Sequence, residues 1–323
     1  MQIFDNGRIY DFMGKRWLFF CFSFILFFGS IVLICTKGLN YGIDFSGGTL
    51  IQVKYEGKAP LDDIRDKLAA NEVLKNANVT EFGSDEEITI RYSGSSDSLG
   101  SDPGAVVTSI LEGTGKFEIR RVDVVGPKVG SELRQKGLMA IGVSLILILI
   151  YIGVRFEWRF ALAAIISEIH DVVITIGAIS LLSIDVNLDT LAAVLTVLGY
   201  SLNDTIIIFD RIRERVKESK FIKLNDVINE SVSLTLSRTI MTSITTLLAV
   251  LVLFFFGGDM INGFSIIMLI GIIIGTISSV FIASPMLGWF KFSVDHYRSH
   301  LAAKEVKRKE KERIRAMYEK GTI

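Results

Sequence analysis

Six runs of the chain, near residues 17–35, 137–154, 160–182, 188–209, 234–256 and 263–290, are apolar over a membrane-crossing length. A helix needs roughly 20 residues to span ~30 Å of hydrocarbon. In lipid no water is available to bond backbone N–H and C=O groups, so such runs must become helices. With 50% of its 323 residues hydrophobic, the chain reads as an α-helical integral membrane protein with six transmembrane helices. One stretch, residues 36–136, is long and polar; every other connection is short.

The formal net charge is zero, but the cations are unevenly placed. Arg8, Lys15 and Arg16 precede the first run, and Arg155 and Arg159 lie between the second and third. Arg211, Arg213, Arg215, Lys217, Lys220 and Lys223 lie between the fourth and fifth, and the tail holds Lys304, Lys307, Arg308, Lys309, Lys311, Arg313 and Arg315. The loops Ser183–Asn187 and Gly257–Asn262 have none. Because short cytoplasmic loops collect Lys and Arg, both termini are expected in the cytoplasm and the insert outside. The expected divisions are an N-tail (1–16), a first helix (17–35), an extracytoplasmic domain (36–136), helices two to six (137–290) and a basic C-tail (291–323). No small-residue cleavage motif follows the first run, which reads as a retained anchor. The basic tail reads as a solvated topological anchor, with binding to anionic lipid or to a ribosomal or translocon partner as the alternative. Cys21 and Cys35 both fall inside the first run, a poor arrangement for a disulfide framework or a thiolate metal site.

The insert alternates like a strand over Thr49–Tyr55, and apolar residues at 61, 64 and 68 have helical spacing. Two strand-like runs, 77–82 and 87–92, flank the turn signal Gly83-Ser-Asp85. A Ser/Gly/Asp loop (93–102) leads to a helix starting at Pro103, and Phe117–Val125 is a last strand. The order β-α-β-β-α-β predicts a small ferredoxin-like α+β domain serving as a contact surface rather than a catalyst.

Ionisable groups inside the apolar runs are the candidates for chemistry, because each costs at least ~2.5 kcal/mol at the bilayer centre and usually faces a polar pathway. Asp204 lies ~8 Å from the middle of the fourth span and Arg238 ~10 Å from the middle of the fifth, both toward the basic side. They can pair or share a cavity in an ion or proton path, with Asn203, Thr205, Thr239, Thr242 and Ser243 adding hydrogen-bonding groups. The plainer alternative is that Arg238 snorkels to the headgroups and Asp204 packs near a helix end. Glu168-Ile-His-Asp171 falls mid-way through the third span. Glu168 and Asp171, three apart, share a face while His170 is expected to point elsewhere. The group reads either as a proton-relay element or as interhelical hydrogen bonding. Gly271 and Gly275 form a small-residue helix-packing motif. No Gly-x-Ser-x-Gly elbow, paired zinc histidines or Walker loop occurs, so neither a hydrolase nor an ATPase is expected, and no cofactor.

Several of these runs, in order, resemble one family. Gly42-Ile-Asp-Phe-Ser-Gly-Gly-Thr49 and Val125-Gly-Pro-Lys-Val-Gly-Ser-Glu-Leu133 are similar to motifs flanking the exported domain of the SecD/SecF family of protein-export membrane proteins. Arg155-Phe-Glu-Trp-Arg-Phe160, His170-Asp171, Gly199-Tyr-Ser-Leu-Asn-Asp204, Phe209-Asp-Arg-Ile-Arg213, Ser237-Arg-Thr239 and Ser284-Pro285 resemble its SecF branch. The resemblance implies half of an RND-type transporter fold in the cell inner membrane. That half assembles with SecD and the SecYEG channel, with YajC and YidC as further candidates, and with lipid around it and no nucleic acid. It implies late-stage export of unfolded preproteins driven by a proton or sodium gradient. Asp204 and Arg238 match the family's ion-pathway acid and arginine, the opposing acid coming from SecD; Glu168 departs from the apolar residue usual there. An RND-type half-transporter for lipids or small molecules and a purely structural translocon subunit are the competing readings.

Overall fold

The computed structural model describes residues 8–92, 102–219 and 223–319. Residues 1–7 of the expected N-tail, most of the Ser/Gly/Asp loop (93–101), Lys220 and the tail end (320–323) lie outside the described residues.

The six apolar runs form α1 (Arg16–Thr36), α5 (Pro127–Arg155), α6 (Trp158–Leu181), α7 (Leu188–Glu218), α8 (Leu224–Phe256) and a composite sixth span. The sixth runs as α9 (Asn262–Ser278), one π turn (Ser279–Ala283) and α10 (Ser284–Trp289). All six are long and apolar enough to cross a membrane. The π turn has a local cause: Pro285 has no N–H, and its ring would meet the carbonyl four residues back in a regular helix. The Ser284 hydroxyl bonds the Ser279 carbonyl at 2.9 Å within this turn. Three helices run beyond the lengths expected from hydropathy. α5 starts directly at Pro127, a residue suited to the first helical turn, and α7 and α8 extend through polar sequence at the basic end. Inside the bundle α6, α7 and the sixth span are about half buried, whereas α1, α5 and α8 are mostly exposed on its outside.

The basic end is packed by Phe156, Phe160, Phe209 and Phe292, with ring centroids 5.1 Å apart for Phe160 with Phe209 and with Phe292. The N-terminal segment is pinned to α8, since Asn229 Oδ1 accepts the Phe12 and Met13 amides at 3.0 and 2.9 Å. The basic tail forms α11 (Val294–Glu319). Its Arg298 donates to the Val216 and Ser219 carbonyls, capping the C-terminal end of α7.

At the opposite end, β1 (Asn40–Tyr41) pairs in parallel with β6 (Asp185–Val186), and α2 (Ile43–Ser46) leads into the α+β domain. This comprises β2 (Gly48–Tyr55), α3 (Leu61–Ala70), β3 (Asn78–Phe82), β4 (Ser84–Tyr92), α4 (Pro103–Leu111) and β5 (Phe117–Val125). The antiparallel sheet has the order β3-β4-β2-β5, the split β-α-β-β-α-β topology. Ile51, Val53, Ile88 and Ile90 from the sheet meet Ile64, Leu68, Val107 and Leu111 from the helices in a core separate from those of the bundle. The sheet's other face rests on the bundle, where Arg91 makes a bidentate pair with Asp185, one arm at 3.0 Å. Both connections to the membrane cross at one point. Gly47 has φ +74°, and a Cβ on it would lie 2.6 Å from Pro127 Cα; a Cβ on Gly130 would lie 2.6 Å from the Gly47 nitrogen. Only glycine permits that conformation and that approach.

Candidate ion-pathway site

Midway along the bundle, acidic and hydroxyl side chains are buried together in one layer. Along α6, Ser167, Glu168 and Asp171 lie between buried Ala164 and Val172; along α7, Ser201, Asp204 and Thr205 lie between Leu198 and Ile208. In the sixth span, Ser278 and Ser279 lie between Ile272 and Val280. The apolar neighbours belong to two different cores, one toward each end, so the layer lies between them.

Asp171 organises this layer. Its Oδ2 accepts the Ser201 hydroxyl of α7 and the Ser278 hydroxyl of α9, each at 2.6 Å, and its Oδ1 lies 2.9 Å from His170 Nδ1. One carboxylate therefore joins three helices by short, charge-assisted bonds. His170 does not point away from the acidic pair, as residue spacing suggested. Its ring swings along the helix to reach its neighbour's carboxylate and stacks on Phe27 of α1, the planes 4° apart and the centroids 6.0 Å. Glu168 is wholly buried and faces Asp171 and Ser201, yet neither of its oxygens has a hydrogen-bond partner among the described residues.

Asp204 follows Ser201 by three residues on the same helix face, 1% exposed, and both its oxygens also lack a partner. The Ser243 and Thr276 hydroxyls, bonded to each other at 2.8 Å, lie beside it as hydrogen-bonding groups, and the Arg238 guanidinium acts on it electrostatically. The direct Asp204–Arg238 pair that matching depth made attractive does not form. Arg238 is exposed, with no ion pair among the described residues, and Asn203 is exposed as well. Depth along a helix follows from residue count, but azimuth depends on packing: Asp204 faces α8 and α9, while Asn203 and Arg238 sit on the outside of α7 and α8. Among the described residues the bundle thus buries three carboxylates, and Arg238, the arginine that acts on Asp204, faces outward. Gly271 and Gly275 lie against Val197 and Ser201 of α7, the latter 2.8 Å from a would-be Cβ, which brings the two backbones together at this layer.

Ser201 and Ser278 escaped the sequence reading as site residues. A signal existed in the small hydroxyl residues of Gly275-Thr-Ile-Ser-Ser279, and in Ser201, one turn from Asp204 in an otherwise apolar helix.

Residues 106–293 match the model of the SecD/SecF protein export membrane protein C-terminal region, and residues 32–59 match the SecD/SecF GG motif, which contains the crossing glycine Gly47. The chain belongs to the SecD/SecF family. It is 43% identical over all 323 residues to the protein translocase subunit SecF of Helicobacter pylori strain 26695, covering 100% of both chains. It is 46% identical to that of Calditerrivibrio nitroreducens, covering 89% of this chain and 96% of the relative. Among solved structures it is similar to SecDF, a translocon-associated membrane protein from Thermus thermophilus, with a TM-score of 0.80 and 34% identity over 90% of this chain. The chain spans 40% of that longer SecDF polypeptide. The family's RND-like architecture is therefore the fold of this bundle.

Proposed function

We propose that the chain is the SecF-type subunit of the Sec protein translocase. It assembles with a SecD half in the cytoplasmic membrane and uses an ion gradient, of protons or sodium, to promote late stages of preprotein export through the SecYEG channel. YajC and YidC are further candidate partners. Both termini lie in the cytoplasm and the α+β domain outside.

The observation that carries this reading is the buried, unbonded Asp204 carboxylate beside a layer of hydroxyls, with Arg238 on the outer face of the neighbouring helix. Lipid gives a guanidinium at that depth no hydrogen bonds, so a helix with an acid facing Arg238 and Asn203 supplies what this chain lacks; the SecD half is the source of that acid. Asp204, beside the Ser243 and Thr276 hydroxyls but in no ion pair among the described residues, can gain and release a proton or cation as the two halves shift. Moving one charge across the membrane releases ~2.3 kcal/mol per 100 mV, enough to bias a two-state equilibrium by tens-fold. The α+β domain is tied to the loop at the start of α7 by the Arg91–Asp185 pair and by the bond from the Leu188 amide to Asp44, 3.0 Å. A shift of α7 therefore reaches the exported domain through rigid elements.

The test is export of a model preprotein by inverted membrane vesicles carrying Asp204→Asn, with and without an ionophore, while assembly with the partner is checked by co-purification. Loss of the gradient-dependent part with assembly intact is expected. Gradient-stimulated export at the unmodified level would sink the proposal and leave the buried carboxylates as architecture.

A further inference from the structure

Asp204 is not the only buried acid without a bond. Glu168 is wholly buried at the middle of α6, and neither of its oxygens finds a donor among the described residues. The two groups it faces, Asp171 and Ser201, are already engaged. Asp171 accepts from Ser201, Ser278 and His170, and Ser201 spends its one hydrogen on Asp171. The unpaired Ser167 and Thr205 hydroxyls of the layer make no bond to it, and the Ser201 oxygen offers it lone pairs but no hydrogen. An ionised Glu168 has no hydrogen bond there, whereas a protonated one completes a chain in which Glu168 donates to Ser201 and Ser201 donates to Asp171.

The surrounding elements supply no other charge to balance it. On α6 the ionisable neighbours are Asp171 and His170, and on α7 the nearest is Asp204, a further acid. α9 and the π turn contribute hydroxyls, Thr276, Ser278 and Ser279. The two cysteines of α1 and Tyr151 of α5 are exposed on the outer sides of their helices, and so is Arg238 of α8. The one basic group beside the two carboxylates, the His170 imidazole, is bonded to Asp171, so Glu168 is buried with no cation of its own, an arrangement that is electrostatically unfavourable unless it carries a proton.

We propose that Glu168, paired with Asp171 through Ser201, holds an exchangeable proton, forming a second protonation site inside the bundle. Ser201 precedes Asp204 by one turn of α7, ~4.5 Å along the axis toward the α+β domain. The two sites are thus stacked along the direction in which an ion would cross, with Ser201 belonging to one and adjoining the other. This deepens the proposed ion coupling and rests on it for its purpose, but not for its measurement.

The measurement is infrared spectroscopy of the full chain purified with its partner half in lipid, reading the carbonyl stretch of protonated carboxyl groups in H₂O and D₂O. A protonated-carboxyl component that shifts in D₂O is expected, lost in Glu168→Gln and retained in Asp204→Asn. Glu168→Asp, which keeps the carboxyl in a shorter side chain, is expected to move the component rather than remove it, and it decides the matter should Glu168→Gln not assemble. A spectrum unchanged by the Glu168 substitutions overturns the proposal. So does a component that fails to exchange with D₂O, or one that sodium abolishes, since the last outcome makes this a sodium site. Because proton occupancy is read directly, normal export by Asp204→Asn would remove the coupling reading and leave this result standing.

Discussion

Asp171 gathers more polar contacts than any other side chain of the buried layer, and its two serine donors come from different helices. Removing either donor leaves a buried carboxylate under-satisfied, and hydrogen bonds to charged groups are worth ~1.5–3 kcal/mol. Ser201→Ala and Ser278→Ala are each expected to destabilise the purified protein by about that amount in denaturant unfolding. The double variant should lose less than the sum, because both act on one oxygen. At this scale the sequence announces the ionisable groups clearly, since Glu168, Asp171, Asp204 and Arg238 stand out from apolar surroundings. Their partners are not announced. Serine is common in membrane helices, and only the azimuth at which α7 and α9 meet selects Ser201 and Ser278 from the others.

Elements meet at the glycine crossing, where the two strands of chain leading into and out of the α+β domain touch. Gly130→Ala and Gly47→Ala each force a Cβ to within 2.6 Å of backbone atoms. Both are expected to unseat the domain, read as faster limited proteolysis of the insert. Gly126→Ala, whose Cβ meets nothing within 4 Å, is the control and should behave as the unmodified chain. The N-terminal segment makes a pH-dependent attachment. The Gly14 amide and then the Asn229 side chain hold the Asp11 carboxyl below its ordinary value of 3.8. A group depressed in the folded state contributes stability above its unfolded value and loses it as pH falls through the folded one. Hydrogen exchange at residues 8–15 is therefore expected to rise on acidification below 3.8, and Asp11→Asn should abolish that pH dependence. Helix and strand positions were legible here, because periods of 3.6 and 2 mark them directly. The π turn was not, because Pro285 shows that a regular helix is interrupted without showing how.

For the molecule as a whole, the α+β domain and the bundle have separate cores, so their stabilities should separate. Ile64→Ala or Ile88→Ala, both fully buried, should cost the domain ~2–5 kcal/mol while leaving bundle unfolding unchanged. Arg238→Ala removes an exposed side chain and should change the chain's own stability by no more than ~0.5 kcal/mol, yet weaken co-purification with the partner half. Equal partner recovery would rule out the α7–α8 face as the polar part of that interface. The Arg91–Asp185 pair is partly exposed, and its loss should loosen the seat of the domain by at most ~1 kcal/mol, visible as faster exchange in β4.

The six spans, the β-α-β-β-α-β insert, the uneven charge and the depth of every intramembrane acid can be read from the chain alone, because each depends on local period, hydropathy and residue count. Which way those acids face was settled by packing. It turned Arg238 and Asn203 outward, drew His170 to Asp171, placed two serines from distant helices on one carboxylate, and left the Glu168 and Asp204 oxygens without a hydrogen-bond partner among the described residues. Rotation of a helix about its own axis costs almost nothing in the isolated segment. It is fixed by the small residues that let neighbouring backbones approach, as Gly275 does against Ser201, and that information belongs to the packed bundle rather than to any one run of residues.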